Sequence, residues 1–203
     1  MISPSRRLFI LAGLFAALTV FGAQVKIPLP YVPLTLQTFF VLLSGHLLGP
    51  LYGAASQIAY LLLGLIGLPV FAEGGGLAYV FKPTFGYLVG YPLASFVAGM
   101  IVHRGALRPQ VLPAVSLTRL IMANLLALFA IFVPGVAYLW WNLNFVLGQA
   151  FSFASALKVG FLVFLPGDVI KISGVILLYG ALQRRLAGVA TLSENQRASK
   201  TFV

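Results

Sequence analysis

The chain has 203 residues, of which 61% are hydrophobic and 8% charged, with a mean hydropathy of +1.03. A soluble domain of this size carries about 25% charged residues and could not hide so much apolar surface, so the sequence reads as a membrane protein. The formal charge of +10 comes from basic residues at the ends of apolar runs, which excludes a nucleic-acid footprint, and the absence of cysteine excludes disulfides and thiolate chemistry.

Arg6-Arg7 followed by an apolar stretch and Phe21-Gly-Ala-Gln24 has the outline of a cleavable signal, but it is read as a retained first helix because many spans follow. That first span covers Leu8–Val25 and stops at the proline-rich Ile27-Pro-Leu-Pro-Tyr-Val-Pro33. A short second span, Thr35–Leu48, ends at Gly49-Pro50, and a third runs Leu51–Leu68. The glycine-rich Ala72-Glu-Gly-Gly-Gly76 leads through Lys82-Pro83 to a fourth span, Thr84–Val102. The fifth runs Leu112–Tyr138. After Trp140-Trp141, the weaker segment Phe145–Phe164 is expected to lie along the interface or to pack half-buried on the bundle. The sixth span is Gly167–Leu182. The expectation is an all-α, polytopic protein of six transmembrane helices in one domain, 1–186, followed by a polar, disordered tail at 187–203. By eye there is no internal repeat.

Topology follows from lysine and arginine. With a cytoplasmic N-terminus, nine basic residues fall inside (Arg6, Arg7, Arg104, Arg108, Arg119, Arg184, Arg185, Arg197, Lys200) against Lys26, Lys82 and Lys158 outside. Both termini are then cytoplasmic. The proline-rich loop, the glycine-rich loop and Lys171 lie toward the outer side.

Catalysis is poorly supplied. There is no P-loop, Gly74-Gly75-Gly76 lacks the strand-turn-helix context of a dinucleotide site, and the inventory offers no metal cluster. His46 and His103 read as boundary residues beside cytoplasmic loops. Binding remains. Asp168 is one of only three acidic residues and opens the sixth span, with Lys171 on the same helical face. A carboxylate costs about 2.5–3.5 kcal/mol at mid-membrane on insertion scales, so such a residue points to a polar site inside an apolar shell. Lys171 can hold a ligand carboxylate, and ionised Asp168 can only accept, which suits a urea or amide N–H. Mutual structural neutralisation is the alternative reading of the pair. Tyr31, Phe71, Tyr79, Phe81, Tyr87 and Tyr91 are candidates for an apolar wall, or for an interfacial belt. On the first helix, Ala12/Ala16 and Gly13/Ala17 are small pairs that fit either packing within the bundle or docking with a separate membrane subunit.

Several blocks, in order and spacing, resemble the BioY family, the biotin-specific substrate-binding subunits of energy-coupling-factor transporters. They are Val32-Pro-Leu-Thr-Leu-Gln-Thr38, Leu47-Leu-Gly-Pro50, Gly67-Leu-Pro-Val-Phe-Ala72, Gly74-Gly-Gly76, Gly86-Tyr-Leu-Val-Gly90 and Phe164-Leu-Pro-Gly-Asp-Val-Ile-Lys171. The resemblance, covering about Leu8 to Leu186, implies a non-enzymatic six-helix protein of a prokaryotic cytoplasmic membrane that captures biotin from outside. It needs no cofactor and binds no nucleic acid. It places Asp168 and Lys171 against the ligand, with Gln37, Phe71, Gly76, Tyr79, Thr84 and Tyr87 completing the expected contact set. The first and third outer loops, Ile27–Pro33 and Ala72–Phe81, are expected to close over it. Ala12 and Ala16 match the motif that meets a transmembrane coupling protein, which works with two ATPases; lipid is the remaining partner. One departure stands out. Where the family usually reads Gly-Pro-Thr-Gly-Gly-Tyr, this chain has Lys82-Pro-Thr-Phe-Gly-Tyr87, which makes Lys82 a candidate second contact for a carboxylate. The competing expectations are a subunit for another small vitamin and a membrane assembly protein without a small ligand.

Overall fold

The computed structural model describes the backbone of residues 4–107 and 112–201, and side chains within 6–107 and 112–185. The apolar run after Arg7 forms α1 (Pro4–Gln24). Pro28, Pro30 and Pro33 cannot continue a helix, and the chain instead makes a short antiparallel pair, β1 (Lys26–Ile27) with β2 (Leu34–Thr35), in register Lys26 to Thr35. Tyr31 sits at the turn with φ 67°.

The second and third expected spans are the two helical arms of α2 (Gln37–Leu65), separated as expected at Gly49. Gly49 has φ 76° and ψ −179°, a region that only glycine occupies freely. The break reverses the chain. A Cβ on Gly53 would lie 2.9 Å from the Gly45 Cα, whereas eight residues of straight helix would separate them by about 12 Å. Gln57 Nε2 likewise donates to Ser44 Oγ at 3.2 Å. α2 is therefore a hairpin of two antiparallel arms, and α1 touches both, with Phe21 on Phe40 of the first arm, and Phe9 on Tyr52 and Thr19 Oγ1 donating to Gln57 Oε1 of the second.

After a short 3-10 turn, Leu77–Phe81, come α3 (Phe85–Val102) and α4 (Leu117–Trp141). α4 starts five residues later than expected from Leu112, because Pro113 precedes a Ser116 cap whose hydroxyl accepts the Arg119 N–H at 3.4 Å. Gly90 lets α3 and α4 meet backbone to backbone: a Cβ there would stand 2.7 Å from the Ile131 Cα. The doubtful stretch 145–164 is no continuous helix. A π turn (Asn142–Val146) leads to a Ser152-capped α5 (Phe153–Gly160), which buries Ala156 and Gly160 while Phe153 and Leu157 remain exposed. This is the half-buried packing that was one of its two expected placements. α6 begins at Leu165 and its backbone is helical to Thr201; the side chains of the expected tail at 187–203 lie outside the described residues.

Five of these elements are long and apolar enough to cross a membrane. His103 holds its expected boundary place as the residue that caps α3, whereas His46 departs from it. His46 is fully buried, its Nδ1 2.7 Å from the Leu42 carbonyl and its Nε2 3.4 Å from Asn124 Nδ2, and His103 Nε2 lies 2.9 Å from the His46 carbonyl. These contacts tie α2, α3 and α4 together at the end of the bundle away from Asp168.

Candidate functional site

The starts of three helices, the interior of a fourth and two loops converge on one cavity. Its walls come from the first loop (Val32, Pro33, Thr35), the start of α2 (Gln37, Thr38), Ala72 and Tyr79 of the third loop, and the first turns of α3 (Thr84, Tyr87, Leu88, Tyr91). Ile131 and Phe132 of α4, Phe164, and Asp168 and Lys171 of α6 complete it.

The sequence Leu165-Pro-Gly-Asp places Asp168 in the first turn of α6, where a carboxylate is favoured by the positive helix end. Three residues on, Lys171 shares its face: Asp168 Oδ1 lies 2.6 Å from Lys171 Nζ, and the two side chains are 3% and 8% exposed. Lys171 also donates to the Thr35 carbonyl at 3.2 Å. Asp168 Oδ2 is buried and has no hydrogen-bond partner. A buried carboxylate oxygen left unmatched costs about 1–3 kcal/mol or more, so it marks a place where a donor is wanted.

Opposite the pair, the first residue of α2 organises a polar cluster. Gln37 Oε1 accepts from Thr35 Oγ1 at 2.9 Å and from Tyr91 at 3.3 Å, while its Nε2 donates to Tyr60 at 2.5 Å. The Tyr60 hydroxyl in turn donates to the Val70 carbonyl at 3.2 Å. Thr84 Oγ1 donates to Tyr79 at 3.2 Å, and Tyr87 donates to the Gly160 carbonyl at 2.8 Å. Burial pushes the Tyr79 phenol above its ordinary value, so it stays a neutral donor at the mouth of the cavity.

The third loop is held as a cover. Gly76, at φ 99°, turns its N–H to the Gly64 carbonyl at 2.8 Å. Phe71 is 1% exposed, wedged over Gly64 with its ring 4.6 Å from that of Tyr79. The Phe81 carbonyl accepts from Asn142 at 2.7 Å, and the Val80 carbonyl accepts from Tyr138. Lys26 reaches from β1 to the Ala72 carbonyl, linking the first loop to the third.

Of the residues expected at the site, Asp168, Lys171, Gln37, Tyr79, Thr84 and Tyr87 all line the cavity. Phe71 and Gly76 do not; they sit behind Tyr79 and shape the covering turn. Tyr31 and Phe81 point away and are 37% and 63% exposed. Lys82 is also turned outward, paired with Glu73 at 3.1 Å and lying over the Tyr79 ring at 5.4 Å, which removes it as a second carboxylate contact in this arrangement. Ala12 and Ala16 are buried within the chain's own bundle, at 5% and 3% exposure, and the exposed small positions on α1 are Gly13 and Ala17. Thr35, Ile131, Phe132 and Phe164 were missed; only their apolar or loop context marked them. Among the described residues no group of three potential ligands could hold a metal.

Residues 2–188 match the BioY family. The chain is 44% identical over 152 residues to the "Probable biotin transporter BioY" of Lysinibacillus sphaericus, covering 75% of this chain and 74% of that one. It is 39% identical to the "Biotin transporter BioY" of Thermotoga maritima, over 82% of this chain and 89% of its relative. Its fold superposes with a TM-score of 0.76 and 26% identity on the crystal structure of the S-component for biotin from an ECF-type ABC transporter, covering 91% and 95% of the two chains. With several membrane-length helices and these relatives, it is a multi-pass membrane transport protein. The chain belongs to the BioY family.

Proposed function

We propose that this chain captures biotin for uptake across the cytoplasmic membrane of a prokaryote, as the substrate-binding subunit of an energy-coupling-factor transporter. The carrying observation is the unpartnered, buried Oδ2 of Asp168 beside a lysine, inside a cavity walled by aromatic rings. Biotin offers complementary groups at both ends: ureido N–H donors for Asp168 and a carboxylate for Lys171. The ring system fits against Tyr87, Tyr91, Phe132 and Phe164. Gln37, Thr84 and Tyr79 are the remaining polar contacts, and Phe71 and Gly76 support them from behind.

The cavity has a free volume of about 40 Å³, room for roughly three waters at about 10–15 Å³ each. Biotin is several times larger, so entry requires the first and third loops to part, and the Lys26 link to Ala72 is the contact that opens. Six passes follow if each α2 arm crosses the membrane, and the basic residues then set both termini inside. A transmembrane coupling protein and two ATPases complete the transporter. With Ala12 and Ala16 occupied by internal packing, the face of α1 offered to the coupling protein is that of Gly13 and Ala17.

The test is biotin-dependent thermal stabilisation of the purified chain in detergent, since a ligand that binds only the folded form raises stability by mass action. Saturating biotin should raise the melting temperature while other small vitamins do not; equal shifts with an unrelated vitamin would refute the assignment.

A further inference from the structure

At the far end of α3 from the biotin cavity, the ends of α3 and α4 diverge and leave an open groove with a free volume of about 770 Å³. Arg104 and Arg119 both line it, Ser116 and Thr118 supply hydroxyls, and Met100, Ile101 and Met122 add apolar side chains. Neither arginine meets an acidic side chain among the described residues, where the ion pairs are Lys82–Glu73 and Lys171–Asp168. Both of those acids are at the opposite end of the molecule.

Three features give the groove a direction. Arg104 follows the α3 cap with φ 53°, a left-handed conformation that costs a side-chain-bearing residue about 1 kcal/mol or more and that glycine usually fills. The side chain at this position is thus held at the groove against local backbone preference. The first turn of α4, a 25-residue helix, adds its positive end to the same space. Below the arginines, Leu117, Ile121, Met122 and Leu125 stay exposed along α4 and provide an apolar track leading toward the bundle's middle. Paired guanidiniums and hydroxyls suit phosphate oxygens. A hydrocarbon track directly beneath them suits acyl chains and has no use for a free anion. α3 has 18 residues, about 27 Å of helix, so a groove at its end lies at headgroup level when the other end meets the opposite interface.

We propose that this groove is a binding site for an anionic phospholipid, its phosphate held between Arg104 and Arg119 and an acyl chain laid along α4. The site is independent of the biotin cavity.

The experiment is native mass spectrometry of the whole chain, released from detergent containing equimolar phosphatidylglycerol and phosphatidylcholine. The wild-type chain should retain phosphatidylglycerol in preference by about fivefold or more, since each basic residue at an anionic surface contributes about that factor. Arg104→Gln/Arg119→Gln should lose the preference. Arg184→Gln/Arg185→Gln, which removes the same charge from α6, should keep it. Glycerol phosphate should fail to displace the lipid. Equal retention of both lipids by the wild type, equal loss in both double variants, or displacement by glycerol phosphate would each overturn the proposal. So would a double variant that keeps its lipid preference but no longer co-purifies with a coupling protein, which would make the groove a protein contact. If Arg104→Gln/Arg119→Gln does not give a cooperative helical melt, Arg119→Gln alone is read the same way, and an unchanged preference there is equally fatal.

Discussion

Asp168 commits only one carboxylate oxygen to Lys171. Oδ1 is 2.6 Å from Nζ, while Oδ2 is buried without a partner. A pair whose purpose was mutual neutralisation would satisfy both oxygens, because an unmatched buried acceptor loses its hydration for nothing. The geometry is that of an acceptor kept available, with the lysine holding its charge in place.

The two members should therefore answer to different parts of the ligand. Lys171→Ala is expected to weaken biotin binding by about 1.5–3 kcal/mol, the range for a hydrogen bond to a charged group. It should also abolish discrimination between biotin and its methyl ester. Titration calorimetry of both ligands against both proteins checks this. A variant that still prefers free biotin as strongly as the wild type would move the carboxylate contact elsewhere.

Lys82 should matter little. Its pair with Glu73 is on the outer surface, with the two side chains 42% and 40% exposed, and exposed pairs contribute about 0–1 kcal/mol. Lys82→Ala is expected to change equilibrium affinity by less than about fivefold. A larger loss would return Lys82 to the ligand.

The Gln37 cluster couples binding to stability. Gln37→Leu removes a partner of Thr35, Tyr60 and Tyr91 together; Tyr60 keeps its bond to the Val70 carbonyl, but the buried Tyr91 hydroxyl is left unmatched at about 1–3 kcal/mol where no new partner is found. The melting temperature without biotin should fall clearly, and affinity with it. Unchanged melting would show that the cluster is not a strut of the cavity wall.

Gly49→Ala tests the hairpin. At φ 76°, ψ −179°, a Cβ is strained by about 1–3 kcal/mol, so thermal stability should drop although Gly49 touches neither cavity nor groove. No drop would mean that the reversal tolerates other backbone geometries.

Much of this architecture was readable because membrane burial imposes simple rules. Apolar runs between Pro/Gly breaks located the helices, and the rarity of acids singled out Asp168. Gly49-Pro50 marks a boundary between two spans, and the helix does break there; what pattern alone does not convey is how tightly the two arms fold back on each other, with Gly53 against Gly45. Phe71 and Gly76 are expected at the ligand, since glycine and aromatic residues near an outer loop fit a lid as well as a wall; here Phe71 packs on Gly64 and the Gly76 N–H donates to the Gly64 carbonyl, which places both in the covering turn. The same ambiguity affected α1, where Ala12/Ala16 and Gly13/Ala17 are equivalent in sequence and only the position of α2 shows which pair is covered. His46 was misplaced for a related reason: a polar residue near a predicted end looks like a boundary until its partners, Leu42 and Asn124, are seen. The 145–164 segment lacks a single period, since a π turn and a 3-10 turn flank an eight-residue helix.

The most direct measurement is equilibrium biotin binding to the purified chain carrying Asp168→Asn together with Lys171→Gln, compared with wild type and each single variant in the same detergent. The double variant should keep its helical melt but lose biotin capture by at least about a hundredfold, the combined effect of two charged contacts. Wild-type affinity in that double variant would contradict this expectation.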